Sequence, residues 1–437
     1  MRSRPQNLAA GLALAAAGLV LAGPAFGAGF GIFEQGSKAM GMAGAFTAQA
    51  DDPSALFHNP GGIAFQKKRD FSVGVTWIYG SDSTFDGGPT GFPGPGISAE
   101  QETLSAFPPH FYWIEPISDT WTFALGLNTP FGLTTEWKDP SHFAGRFLSA
   151  KAALRAIDLN PAIGWQITPN VGLAVGAIAR YSDVELVQHV PAFNPFALVV
   201  SDVATLRLKS DFDAGYGWNV GLLHKLNDSF SWGLSYRSKV TVDYSGDARL
   251  TQNLTGTPFD AIIPLVLPLN RDLPVETAIE FPDMASLGVA FAVTQNTLVE
   301  ADVNWTGWSS FDTLVIDFTR NDLPDATRPE KWNDAYNYRV GVRWNAPSGA
   351  QWRAGYVFDE TPQPEETVSP LLPDANRNGV TVGYGKAFGK ASFDVALMYL
   401  KFDDRTRAKT FPEEGPSQDF FGTYSNQAWL LGLTVGF

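Results

Sequence analysis

Hydrophobic and polar positions alternate with a period of two along most of the chain. At the C-terminal end, Trp429, Leu431, Leu433, Val435 and Phe437 fall on one face, and Ala428, Leu430, Gly432, Thr434 and Gly436 on the other. Tyr336, Tyr338, Val340, Val342 and Trp344 alternate in the same way with Asn337, Arg339, Gly341, Arg343 and Asn345. Trp232, Leu234, Tyr236, Val240 and Val242 alternate with Gly233, Ser235, Arg237, Lys239, Thr241 and Asp243, and Val299, Ala301, Val303 and Trp305 with Leu298, Glu300, Asp302 and Asn304. Period two predicts β-strands. Aromatics cluster near the ends of the apolar faces, as in interfacial girdles, while the opposite faces carry charged residues, Asn and Gly, which suits a polar lumen. The pattern therefore predicts a membrane barrel rather than a soluble sandwich.

Fourteen strands are expected, at 71–79, 104–114, 121–137, 157–167, 171–187, 214–226, 230–244, 281–293, 297–319, 336–345, 351–358, 378–388, 391–402 and 426–437. The number is even, as in bacterial single-chain barrels. Short turns such as Thr168-Pro169-Asn170, Asn227-Asp228-Ser229 and Gly389-Lys390 alternate with long connections. Short turns face the periplasm and long loops the exterior, so both termini are expected in the periplasm.

The expected barrel, 70–437, follows a segment, 28–69, that does not read as a strand. It is rich in Gly and Ala and carries Phe30, Ile32, Phe33, Met40, Met42, Phe46, Leu56, Phe57, Ile63 and Phe65. A solvated tail rarely holds so many apolar side chains, so this segment is expected to fold into the lumen as a plug. Residues 1–27 read as a secretory signal peptide: Arg2 and Arg4, an apolar run from Leu8 to Ala22, then Ala25-Phe26-Gly27.

Composition narrows the function. Charged residues make up 17% of the 437 positions, below the roughly 25% usual in soluble domains. The net charge of −14 argues against a nucleic-acid partner. With no Cys, disulfides, thiolate metal sites and Cys nucleophiles are excluded. His58, His110, His142, His189 and His224 are the only histidines, and none lies in a hydrolase, metalloprotease or nucleotide-binding motif. No enzyme, cofactor or metal is expected. The stretch Asp51, Asp52, His58, Asn59 suits turns and caps better than a calcium loop.

Two long connections are unexpectedly apolar, Val190–Val200 and Thr257–Leu269. Exposed apolar patches mark binding, and two such loops either cap the barrel or form a greasy cleft. After the third strand, Phe143, Phe147, Leu154 and Ile157 recur at helical spacing, with Arg146, Lys151 and Arg155 on the polar side. This predicts an amphipathic helix whose basic face either meets anionic lipopolysaccharide and lipid headgroups or is simply solvated. In the third strand, Pro130 and Gly132 predict a kink or bulge, or else the end of the strand near Asn128.

With "AGFGIFEQGSKAMGMAGA", "HNPGGI", "NTPFGLTTEW", "EKWNDAYNYRVGV", "YVFDETPQP" and "AWLLGLTVGF" spread over nearly the whole chain, the sequence resembles the FadL-type long-chain fatty acid transporters and the related aromatic-hydrocarbon uptake porins. The resemblance implies an all-β, 14-stranded transmembrane barrel with an N-terminal hatch, a monomer of the bacterial outer membrane. It implies passive uptake of hydrophobic small molecules. Entry would be through a groove made here by Phe193, Phe196, Leu198, Phe259, Ile262, Ile263, Leu265 and Leu267. Exit would follow hatch movement, sideways at the strand kink of Pro130 and Gly132. The family's Asn-Pro-Ala hatch motif becomes Asn59-Pro60-Gly61, and Arg328 falls near a position that binds carboxylates in relatives. Where others have an Arg after the fifth-strand Tyr, this chain reads Tyr181-Ser182-Asp183, which leaves room for an uncharged hydrocarbon. A non-selective porin is the alternative, and an outer-membrane lipid-modifying enzyme a more distant one.

Overall fold

The computed structural model describes residues 29–318, 324–411 and 419–437; the expected signal peptide lies outside them. Fourteen antiparallel staves close into a barrel. They are β1 (Asp70–Gly87), β2 (Ser98–Glu100, Leu104–Ala106 and Pro109–Pro116), β3 (Trp121–Glu136), β4 (Lys151–Thr168) and β5 (Val171–Asn194). Next come β6 (Val199–Ser210 and Asp213–Asn227), β7 (Phe230–Arg237 and Val240–Gln252), β8 (Asp272–Phe281 and Met284–Thr294) and β9 (Thr297–Thr306 and Thr313–Asp317). The circuit ends with β10 (Ala326–Pro329 and Ala335–Asn345), β11 (Ala350–Asp359), β12 (Arg377–Phe388), β13 (Ala391–Phe402 and Arg405–Arg407) and β14 (Gly422–Gly436). Each pairs with its sequence neighbours. β14 closes on β1 from Ser72↔Gly436 to Gly87↔Gly422, so no edge is left unpaired.

The alternation is inverted relative to a soluble protein. Val175, Leu287, Val340, Val380 and Val382 are each at least half exposed, whereas Glu300, Asp302, Arg339 and Arg353 are buried. Apolar side chains face lipid and charged ones face inward. Aromatic pairs mark the short-turn end: Trp121 stacks on Trp165 at 5.5 Å, and Trp352 meets Tyr384 edge-on at 4.9 Å.

Residues 29–69 fill the lumen as a hatch. It contains two one-turn helices, α1 (Ser37–Met40) and α2 (Ala55–His58), and a 3-10 turn at Pro60–Phe65. Its apolar residues Ile32, Met40, Phe46, Leu56 and Ile63 are fully buried.

Three expectations need correcting. The amphipathic helix is absent: β4 begins at Lys151, so Leu154 and Ile157 lie in a strand paired on both sides. Their helical spacing is incidental to a period-two run that starts at Lys151, because flanking ladders supply the backbone partners. Arg146, Lys151 and Arg155 are engaged by Asp202, Glu136 and Asp183 at 3.3, 3.3 and 2.5 Å. The connection at Val190–Val200 is largely the tip of a hairpin, since β5 runs to Asn194 and β6 starts at Val199. β8 begins near Asp272, nine residues before the expected start. These extensions keep one buried face, where Leu206, Leu208, Ala248, Leu250, Leu273 and Val275 pack together.

Candidate functional site

The hatch is held by side chains of the barrel wall. Asn59 is fully buried. Its amide donates to the carbonyls of Thr47 at 2.7 Å and Leu222 at 3.0 Å, while its Oδ1 accepts from the Gly61 N–H at 3.0 Å. One side chain thus caps the 3-10 turn, braces the hatch internally and ties it to β6. Gly61 lies against β6 so closely that a Cβ would sit 2.7 Å from the Leu223 nitrogen. Its glycine therefore answers a close approach, not a need for added backbone freedom. Three staves along the wall, on β9, Asp302 accepts the N–H groups of Phe46 and Thr47 at 2.9 and 3.0 Å, and Glu300 those of Ala48 and Gln49 at 2.5 and 3.2 Å. Arg339 donates to the Ala43 carbonyl at 2.6 Å.

Asp51 pairs with Lys38 and Arg343 at 2.7 and 2.8 Å, and Asp52 accepts the Ser54 N–H at 2.9 Å in a turn just before α2. His58 donates from Nε2 to the Gln35 carbonyl at 2.9 Å, and burial holds its imidazole down to about 4. In the β11–β12 loop, Asp374 accepts the Gly29 N–H at 3.2 Å, and burial pushes its carboxyl up to about 6.

β3 departs from its neighbours around Pro130 and Gly132. Its register against β4 shifts between Asn128 and Phe131, with one extra residue on β3. Its pairing with β2 stops at Phe111↔Leu127 and resumes only at the isolated bridge Gln101↔Trp137. Asn128–Leu133 are six consecutive buried positions, which breaks the strand's alternation. The backbone freed there is taken up by the hatch: the Ile32 N–H donates to the Pro130 carbonyl at 2.7 Å, and the Gly132 N–H to Phe30 at 2.9 Å. Gln35 of the hatch donates to the Thr129 carbonyl at 2.8 Å. The irregular stretch is thus satisfied by protein on its inner side, as irregular backbone at membrane depth requires.

Above this seal lies an apolar cavity bounded by Phe30, Leu133, Leu154, Leu186, Ile279, Phe311, Leu314 and Leu372, with Glu330 on its border. Phe30 belongs to both places. Its ring lies 4.6 Å from Trp308, 5.4 Å from Phe311 and 5.9 Å from Phe131. Arg328, half-buried in Ala326–Pro329, is ion-paired with Glu330 at 3.1 Å and donates to Ser369. Its charge is balanced within the protein. Asp183 is likewise paired, with Arg155.

The two apolar loops meet at their tips, where Asn194 donates to Thr257 at 3.0 Å. Phe193, Phe196, Leu198, Ile262 and Leu265 are exposed, Ile263 is buried, and Phe259 and Leu267 are intermediate. Leu267 packs on the cluster formed by Leu206, Leu250 and Leu273. Glu300, Asp302 and Asp158 were not singled out from sequence. Their signal was a carboxylate on a lumen-facing strand face, beside Asn304 and Thr306 for Glu300 and Asp302, and beside Ala156, Asn160 and Ala162 for Asp158.

A closed 14-strand barrel with a luminal hatch, lipid-facing aliphatics and no long apolar helix among the described residues defines an outer-membrane transport channel. Residues 18–437 match the model of the outer membrane protein transport proteins (OMPP1/FadL/TodX), and the chain belongs to that family. It is 26% identical over 448 residues to a long-chain fatty acid transport protein of Escherichia coli O6:H1, covering 97% of each chain. It is also 26% identical over 435 residues to a 47 kDa outer membrane protein of Pasteurella multocida, again over 97% of each. Among solved structures, a Pseudomonas aeruginosa FadL homologue shares the fold with a TM-score of 0.79 at 22% identity, covering 94% of this chain and 99% of that one. The P. putida toluene transporter TodX gives 0.70 at 18%, over 93% and 99%. The protein is an outer-membrane transporter, not an enzyme.

Proposed function

We propose that the protein takes up hydrophobic small molecules passively, by capture at the apolar loop tips, passage through the cavity floored by Phe30, and lateral exit where β2 and β3 part. The observation that carries this reading is the shared position of Phe30. The same hatch residue walls the apolar cavity and accepts the Gly132 N–H beside the β3 register shift. Moving it would open the cavity toward the only stretch of β3 that lacks its β2 partner. Relatives named for long-chain fatty acids and for toluene support a hydrophobic cargo. The apolar cavity suits either, and no energy source is needed for movement down a gradient. The reading takes the chain as a monomer among lipid and lipopolysaccharide.

Deleting Pro130 removes both the extra residue and the missing donor, and should restore the β3 register. Cells lacking their own hydrophobe uptake should accumulate labelled oleate or toluene faster with the wild-type protein and at background rate with the deletion, provided the variant still folds. Undiminished uptake by a folded deletion variant would falsify lateral exit. A steady large single-channel conductance from the wild type would instead favour an open porin, which the hatch-filled lumen argues against.

A further inference from the structure

Between the hatch and the barrel wall lies a second, polar cavity. It is lined by Phe33, Phe57 and His58 of the hatch and by Arg237, Met284 and Arg339 of the wall, among others. Arg237 sits in a buried cluster with too little negative charge. Asp158 is paired twice with Arg180, at 2.8 and 2.9 Å, and also with Arg237 at 3.3 Å. One carboxylate serves two guanidinium groups, so the cluster has one formal positive charge in excess. Asp158 and Arg180 are fully buried and Arg237 is 5% exposed. Arg180 Nη1 and Arg237 Nη2 have no hydrogen-bond partner.

A buried guanidinium with unmade donors is costly unless an anion or acceptor completes it. Aromatic faces give partial compensation: the Arg237 guanidinium lies 5.0 Å from the Phe57 ring, and Arg339 lies 4.8 Å from the Phe33 ring. Both rings belong to the hatch. Displacing the hatch therefore strips an aromatic cover from Arg237 and another from Arg339. Neighbouring apolar surface comes from Phe33, Phe57 and Met284.

We propose that this cavity is a binding station for the carboxylate head of an amphiphile, held by Arg237 in the place the Phe57 ring covers, with its first methylenes against Met284. The proposal rests on the uptake reading above. It differs from the upper cavity, whose border offers Glu330 rather than an unpaired cation. An uncharged hydrocarbon gains nothing from the station, so the two cargo classes diverge here.

Arg237→Gln leaves Asp158 paired with Arg180 and should fold; heat-modifiable gel migration checks this. In cells expressing the wild type, both labelled oleate and labelled toluene should accumulate above background. Arg237→Gln should lower oleate accumulation roughly tenfold, the scale of a charge-assisted hydrogen bond, and leave toluene unchanged, while Arg237→Lys restores most of the oleate signal. Equal loss of both cargoes, or no loss of oleate, overturns the station while leaving uptake intact. No accumulation by the wild type overturns the uptake reading itself. On the purified protein, oleate labelled with carbon-13 at the carboxyl should give a bound resonance that Arg237→Gln removes. Persistence of every bound resonance in the variant counts against the site. Occupancy by labelled acetate at the same concentration as oleate would make it a small-anion site, and would also overturn the proposal.

Discussion

The side-chain amide of Asn59 donates to the main-chain carbonyl of Leu222 at 3.0 Å, joining the hatch to the wall through a single buried group. The same amide braces Thr47, and its oxygen accepts from Gly61. Asn59→Ala removes the partner of the Thr47 carbonyl and of the Gly61 N–H, and the tie to Leu222. Leaving such groups unpaired costs about 1–3 kcal/mol, and most of that should fall on hatch seating, because the barrel ladders do not include Asn59. Amide exchange across residues 45–65 should speed up in the variant while strand amides stay protected. Unchanged exchange in that segment would remove Asn59 as the anchor.

Gly61→Ala tests the close approach. The added methyl would meet the β6 backbone at Leu223 at 2.7 Å, where neither partner is a flexible side-chain end. Either the hatch or β6 must shift. Overpacking of this kind typically costs about 1–3 kcal/mol. Thermal unfolding should move down and basal ion conductance should rise. A variant as stable and as closed as the wild type would show that the hatch has slack here.

Glu300 and Asp302 hold four successive hatch amides, from Phe46 to Gln49. Either carboxylate alone retains two of the four bonds, so the single Ala variants should leak modestly and the double variant more than the sum of the two. Planar-bilayer recordings give the comparison. Strict additivity would mean that the two carboxylates act on independent parts of the hatch.

At the loop tips, Phe196 is exposed and Ile263 is buried. The same change to Asp should therefore act differently at the two positions. Phe196→Asp places a charge on an exposed apolar surface, so it should weaken capture at low substrate concentration with little effect on stability. Ile263→Asp buries a charge and should disorder the β7–β8 loop. Concentration-dependent uptake measured beside thermal unfolding separates the two. If both variants changed uptake without changing stability, Ile263 would have to face substrate.

The barrel was readable because its signal is repetitive. Trp429, Leu431 and Leu433 announce a lipid face by alternation alone, and the short turns count the staves. The hatch was visible as an excess of apolar residues that a tail would not carry. Long-range pairing was not readable. Nothing near Pro130 says that Ile32 will accept the role of its missing neighbour, and nothing near Arg237 says that Arg180 will compete for Asp158. Such contacts join residues tens to hundreds of positions apart through the curvature of the wall. The supposed helix at Phe143–Ile157 failed for a related reason: strand pairing on both sides of β4 overrode a local spacing that fits either element.

His58 makes the seating of the hatch depend on pH. Its ordinary value is near 6.5, and burial lowers it to about 4 in the folded protein. Between those values the unfolded or unseated hatch binds the proton and the seated one does not, so seating is favoured at higher pH. The contribution is fully present above about 6.5, declines as pH falls toward 4, and has no further dependence below that. Asp374 acts with the opposite sign: its carboxyl is raised to about 6 by burial, so its contribution is greatest below about 3.8 and is lost as pH rises through 6. The two oppose each other in one window, and a simple pH profile of the wild type would blur them. His58→Gln keeps a donor for the Gln35 carbonyl and removes only the histidine titration. The difference in hatch exchange rate between wild type and His58→Gln should be flat above pH 6.5 and should shift toward faster wild-type opening between pH 6 and pH 4. A difference that stays flat over that interval would mean that protonation of His58 does not unseat the hatch.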